Sequence, residues 1–271
     1  MKIIADNAAD RATISASSTS AGLSVLSMLT DIKSDVHRAT GTSVTYVLTW
    51  PVAEMIGGLH LLTNCSPTGM IRVRGYSDVA GTALLFDTTM VYGCNAPAIP
   101  LRGWTAIKAA SAYAYGGGAH LWSWFNRTSV KNLTVDVSDP NNQQGLIECW
   151  RVVAGDVWTS AYNHDFGSPL THGSLSKQYR TDASDLRTEP GGRFRKQSLN
   201  LSTMPEVDRL GVLDLLRGNG LDTPFLISPY PNSPNIALQR DYQMWCKLVG
   251  PASIRAISSG LYGTTLDMET V

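Results

Sequence analysis

Five histidines (His37, His60, His120, His164 and His172) and 22 acidic side chains are the groups that could hold a metal or move a proton. Their spacing argues against a metal. Neither His-x-x-x-His nor His-Glu-x-x-His occurs, so a metal site would have to be gathered from distant segments, and no metal ligand or cofactor is assigned. His164 and Asp165 adjoin each other, which offers either a catalytic pair or a hydrogen-bonded linker histidine. No Gly-x-Ser-x-Gly elbow presents a serine nucleophile. The acidic residues do not cluster as a glycosidase pair would, although two carboxylates far apart in sequence can still meet in space. Gly116-Gly117-Gly118 is followed neither by Lys-Ser/Thr nor by a helical pattern, and so marks a tight turn or a backbone contact with a neighbour and not a phosphate loop. The chain is not read as an enzyme.

Aromatic residues offer a different chemistry. Trp122 and Trp124 alternate on one strand, with Phe125 next in the chain and Trp104, Tyr113 and Tyr115 nearby. Sugar faces stack on such rings, so Trp104, Tyr113, Tyr115, Trp122 and Trp124 are the candidate ligand surface. The same residues would equally fill a sandwich core or a subunit interface. Arg187, Arg193, Arg195 and Lys196 gather positive charge around one segment, either as a solvated hairpin or as one that pairs with a neighbouring subunit.

Strands must position these groups. Residues 44–50, 55–62 and 70–76 are three apolar runs separated by turn-forming clusters at 51–54 and 64–69. In the third run Ile71, Val73 and Gly75 face one way while Arg72, Arg74 and Tyr76 face the other, the period of a half-buried strand. Further strands are expected near 12–19, 84–91, 112–125, 130–137 and 146–153, with a helical turn near 23–29. Regular spacing with turn signals gives a sandwich of about eight strands. Beyond residue 155 the chain changes character. Pro190-Gly191-Gly192 is expected at a hairpin tip. One amphipathic helix is expected at about 204–217, with Thr203 and Glu206 at capping-box spacing and an apolar stripe through Val207, Leu210, Leu213 and Leu216, with Leu215 adding to it.

Composition limits the partners. Hydrophobic residues make up 43% of the 271, enough for substantial cores, and charged residues only 16%, against roughly 25% in soluble domains. The 22 basic and 22 acidic residues cancel, which argues against nucleic acid as the main partner. A neutral, charge-poor surface suits a protein covered by other subunits. The N-terminal residues do not read as a signal peptide, and no apolar run is long enough to span a bilayer. Cys65, Cys94, Cys149 and Cys246 form no Cys-x-x-Cys pair and are expected to be reduced.

The segments ATISASSTSAGLSVLSMLTD, HRATGTSVTYVLTW, IGGLHLLTNCSPTGMIRVRGYSD and VKNLTVDVSDPNNQQGLIECWRVVAG resemble those of galactose-binding-like (discoidin, F5/8-type) jelly-roll domains, in the versions found in tailed-bacteriophage structural proteins. GRFRKQSLNLSTMPEVDRLGVLDLLRGNGLDTPFLISPYP is similar, more loosely, to tail-tube and distal-tail (baseplate) proteins. The fold expected is therefore mainly β: an N-terminal antiparallel β-sandwich (jelly roll) over 1–155, then a tail-tube/distal-tail-like β domain over 156–271 carrying the helix. The resemblance implies a structural virion protein of a tail tip or baseplate, made in the host cytoplasm. It would form a hexameric or trimeric ring with itself and contact other tail proteins. The alternative from a different class is a carbohydrate-binding module that recognises a cell-surface glycan. Sugar sites in such folds lie on variable loops, so the resemblance transfers no binding residue.

Overall fold

The computed structural model describes residues 1–66, 68–93, 119–233 and 236–271, which fold mainly as antiparallel β structure. The strands are β1 (Lys2–Ile4), β2 (Thr13–Ala16), β3 (His37–Arg38), β4 (Ser43–Thr63), β5 (Met70–Tyr76), β6 (Leu84–Asp87), β7 (Val91–Tyr92), β8 (Ala119–Ser138), β9 (Glu148–Gly155), β10 (Trp158–Thr159), β11 (Leu170–Ser174), β12 (Lys177–Arg180), β13 (Leu186–Glu189), β14 (Arg193–Pro205), β15 (Phe225–Ser228), β16 (Met244–Leu248), β17 (Arg255–Ser258) and β18 (Leu261–Thr270). They form two eight-stranded sheets and a two-stranded ribbon, β12–β13.

The first sheet runs β3-β9-β4-β8-β5-β6, with β2 added at β4 and β7 at β5. Its frame is the long pair β4–β8. The turn expected at residues 51–54 is absent, and β4 continues through Pro51 as one strand of 21 residues. The ladder to β8 skips between Thr49 and Glu54, so Pro51 falls where no N–H is required. Such an irregularity bends a strand and lets it serve two layers. Before it, Val44, Tyr46, Leu48 and Trp50 are buried alternately; after it, every residue from 56 to 63 is buried. The two halves enclose one core, in which Trp50 Nε1 donates to the Ala8 carbonyl at 2.8 Å. β5 alternates as its sequence predicts, with Ile71, Val73 and Gly75 inward.

The second sheet runs β10-β1-β15-β16-β18-β14-β11, with β17 on β18. It takes β1 from the start of the chain, paired with β15 from Lys2↔Ser228 to Ile4↔Leu226. Period-two alternation gives this sheet two apolar faces. Ile3, Phe225, Ile227, Met244 and Cys246 face one core with Val212 and Leu215 of the helix Glu206–Asn219. Ile4, Leu226 and Trp245 face the other way and meet Leu62 and Val153 of the first sheet. The second half of β4 is thus covered on both faces, which is why its sequence is almost continuously apolar.

Two local expectations need correction. The helix starts at Glu206 with Pro205 as N-cap and no side-chain cap, because Met204 and Pro205 still pair with β18 and keep Thr203 in extended chain. Its buried face carries Asp208, Val212, Leu215 and Asn219, while Val207 is 78% and Leu210 52% exposed. Hydrogen bonds set that orientation: Asp208 accepts from the Ala161 N–H at 2.8 Å, and Asn219 donates to the Ala5 carbonyl at 2.7 Å. Pro190-Gly191-Gly192 is not a hairpin tip either. The ribbon turns at 181–185, and Gly191 lies in one leg, where a Cβ would stand 2.4 Å from the Leu175 backbone.

Candidate functional site

Where the two sheets meet, the apolar seam is interrupted by a chain of polar side chains. His60 of β4 and His120 of β8 stack with ring centroids 4.9 Å apart, and His60 Nε2 lies 2.8 Å from His120 Nδ1. His120 Nε2 is 3.3 Å from Nη2 of Arg195 on β14. A guanidinium can only donate, so His120 Nε2 must accept; His120 then carries its proton on Nδ1 and donates to His60. The geometry leaves both rings neutral. Burial, with the Arg195 charge adding to it, pushes His60 down to about 3. Burial also holds His120 well below the ordinary histidine value, helped by His60 and Arg195.

Beside this chain lies a charged knot. Asn7 pins the turn Ala8–Arg11 to β9, donating to the Val152 carbonyl at 3.1 Å and accepting from the Ala154 N–H at 2.9 Å. This places Asp10 against Arg151, whose side chain is only 4% exposed and whose two terminal nitrogens donate to the Asp10 oxygens at 2.8 Å each. Arg151 also stands 3.3 Å from Asp31 and lies over the Trp245 ring, 5.1 Å from its centroid. Trp245 Nε1 donates to Asp31 at 3.3 Å.

Two adjoining cavities open on this knot. One, a narrow cleft of about 20 Å³, is lined by Asp31, Lys33, Trp150, Arg151, Arg195 and Trp245 among others. The second, of about 260 Å³, is lined by Asp6, Asp10, Arg11, Asp31, Arg151, Asp222 and Trp245 among others. Asp31, Arg151 and Trp245 line both, so the two cavities adjoin at this knot along the seam. Its chemistry is indole surface beside carboxylates and guanidinium groups, the set that seats a ring with one apolar face and a rim of hydroxyls.

The residues singled out from the sequence are placed as follows. Trp122 is 7% exposed, and Trp124 is half-buried with Lys2 Nζ 5.1 Å from its ring centroid. Trp104, Tyr113, Tyr115 and the Gly116–Gly118 turn lie outside the described residues. His164 and Asp165 do not act together: His164 bonds the Tyr230 hydroxyl at 2.7 Å, whereas Asp165 accepts from Asn200 and Ser202. His37 bonds Tyr46 in the first core. Of the basic cluster, Arg195 turns inward at 6% exposure, and Lys196 pairs with Glu269. Cys65, Cys149 and Cys246 are free and buried, and Cys94 lies outside the described residues. Among the described residues no three His, Cys, Asp or Glu side chains gather as a metal site, and no helix is long and apolar enough to cross a membrane.

Sequence reasoning missed Asp10, Asp31, Lys33, Trp150, Arg151 and Trp245. Two faint signals existed. Arg151 interrupts an otherwise apolar strand, and Arg195 with Gln197 occupies the same alternate positions as Leu199 and Leu201, all four of them buried.

No protein-family model matches the chain, and no curated protein matches its sequence. Among solved structures it is similar to chitosan-binding module 1 derived from the chitosanase/glucanase of Paenibacillus sp. IK-5, at 12% identity and a TM-score of 0.39, over 56% of this chain and 99% of that one. It is similar to CpGH89CBM32-5 from Clostridium perfringens, in complex with GalNAc-β-1,3-galactose, at 8% identity and a TM-score of 0.40, over 56% of this chain and 100% of that one. A Ruminococcus gnavus GH29 fucosidase in complex with fucose matches at 11% identity and a TM-score of 0.40, and the match covers 57% of this chain but only 27% of that enzyme.

Proposed function

We propose that the protein is a non-catalytic binding protein that recognises a carbohydrate in the groove along the seam. The observation that supports this reading is that two cavities adjoin at Trp245, Arg151 and Asp31, with Trp150 in the wall of one. Sugar C–H faces pack on indole, and hydroxyls pair with carboxylate and guanidinium groups held in fixed geometry. Catalysis is not proposed, because the Asp10 and Asp31 carboxylates are already engaged by Arg151 and Trp245 and are poorly placed to exchange a proton with substrate. The test is a glycan array followed by calorimetry on the best ligand with wild type and Trp150→Ala. A loss of about tenfold or more on removing the indole is expected. An array without ligands, or unchanged affinity in Trp150→Ala, overturns the reading.

A second reading rests on a different feature. All eight residues of β12 and β13 are exposed, and the ribbon projects from the body with no third strand among the described residues. An isolated two-stranded ribbon is marginal in water, so a covering partner is favoured. This suits a structural subunit of a phage tail tip or baseplate whose arm is clasped by the next copy in a ring within the virion. Light scattering over a range of concentrations tests it. A trimer or hexamer that falls to monomer when residues 177–189 are replaced by a short glycine–serine loop supports the ring, and a strict monomer in the wild type removes it.

A further inference from the structure

We propose that two copies of this chain pair through the outer edge of β13, strand against strand about a twofold axis at Thr188, so that their ribbons join into one four-stranded antiparallel sheet. This pairing is independent of the carbohydrate reading, and it closes a dimer where the second reading builds a ring.

The hairpin of β11 and β14 runs on past the second sheet as the ribbon β12–β13, whose eight residues are all exposed. Among the described residues no third strand lies against either edge of the ribbon. An open edge offers unpaired N–H and C=O groups to another strand. The ladder tells which groups these are. Thr181 N–H donates to the Asp185 carbonyl at 3.0 Å, and antiparallel pairs alternate between bonded and non-bonded. Tyr179↔Arg187 and Lys177↔Glu189 are therefore the bonded pairs within the ribbon. The backbone groups of Leu186 and Thr188 point outward from β13, and those of Gln178 and Arg180 point outward from β12.

Charge chooses between the two edges. β12 carries Lys177 and Arg180 and no acid, so pairing it with its twin gathers four cations. β13 carries one charge of each sign, Arg187 and Glu189, and among the described residues neither side chain has an ion-pair partner. The register follows, because the outward groups must meet one another. A pivot at Arg187 sets that residue against its own twin and Asp185 against Glu189 of the other copy, like charges each time. A pivot at Leu186 runs at once into the turn, where Ser184 is left-handed at φ 66° and cannot continue a strand. A pivot at Thr188 sets Thr188 opposite Thr188, Arg187 opposite Glu189 and Leu186 opposite Pro190. This register makes two ion pairs at non-bonded positions, where side chains come closest, with a threonine pair between them. Leu186, 54% exposed in the single chain, gains an apolar neighbour in Pro190. Pro190 has no N–H, so its pair with Leu186 carries a single bond and the ladder closes there.

Sedimentation velocity at low salt, from about 1 to 300 μM, tests the pairing; so short a contact buries little area, and a dissociation constant at or above about 1 μM is expected. Raising the salt should weaken the dimer. Arg187→Glu and Glu189→Arg each place like charges opposite one another twice, and each should weaken self-association by at least about tenfold. Mixed in equal amounts, the two variants should form a heterodimer about as tight as the wild-type dimer, because every charge then faces its opposite. A wild type that stays monomeric over the whole range, unchanged affinity in the single variants, or a mixture that stays monomeric overturns the pairing. A trimer or hexamer that both single variants leave intact overturns it as well, while the ring reading stands.

Discussion

Acid should loosen this protein first at the seam. His60 and His120 are buried and neutral, and their hydrogen-bond chain ends on a cation, so neither can accept a proton in place. His60 is pushed down to about 3, and the unfolded chain would titrate it near 6.5. Below pH 6.5 the unfolded state therefore binds protons that the folded state refuses. The stability contributed by His60 is full above pH 6.5 and declines as pH falls toward 3, and that of His120 declines in the same direction. At pH 5 the loss is about 2 kcal/mol for His60, and His120 adds to it in the same direction. Urea unfolding at half-unit steps from pH 7.5 to 4.5 measures it. His37 and His164 are also lowered by burial and add to the slope, so the decisive quantity is the difference between wild type and His60→Leu. Removing one such ring should flatten the slope by about 1.4 kcal/mol per pH unit below pH 6, whatever the variant loses in absolute stability. Parallel slopes, or an NMR titration placing His60 above pH 5.5, would refute the assignment of a neutral buried pair.

Three further outcomes are expected. Arg151→Met leaves Asp10 and Asp31 facing each other without their shared cation; because Asp10 is 42% exposed, the cost should be about 2–3 kcal/mol, below that of a fully buried pair, as read from the urea midpoint. Gly155→Ala should cost about 2 kcal/mol or more, because its Cβ would stand 2.3 Å from the Asp6 carbonyl oxygen where β9 meets the start of the chain; a neutral effect by thermal unfolding would mean the two backbones separate freely. Asp87 is held down to about 2, first by the Arg72 guanidinium and then by the Thr89 N–H, so its contribution is full above pH 4 and lost as pH falls toward 2. Carbon-detected NMR should show Arg72→Met returning Asp87 toward the ordinary carboxylate range, and an unmoved titration would count against that pairing.

The strands were legible wherever one face meets water. β5 alternates because its outer side chains, Arg72 and Arg74, reach Asp87 and Asp136 in solvent, and the alternation is written directly in the residues. Legibility failed where both faces are covered or where hydrogen bonds outweigh hydrophobicity. β4 reads as two segments because Pro51 signals a turn, and only the skipped ladder to β8 shows that it is a bend in one strand. The helix turned Val207 and Leu210 of its expected apolar stripe outward, while Leu215 is buried and Leu216 packs on the core, because Asp208 and Asn219 had backbone partners to meet on the inner side, and no periodicity encodes a partner 47 or 214 residues away.

The same division holds for the candidate site. The sequence alone determined a mainly β chain, neutral and poor in charge, with alternating strands and no local catalytic or metal motif, since those properties depend on neighbours two to four residues apart. The groove was decided only by tertiary structure. Asp10, Asp31, Trp150, Arg151, Arg195 and Trp245 come from five separate segments, and what gives them a common chemistry is the packing of one sheet on another. That packing follows from apolar faces that must be buried, and burial is what makes a charge without a counter-charge, or a donor without an acceptor, a meaningful signal.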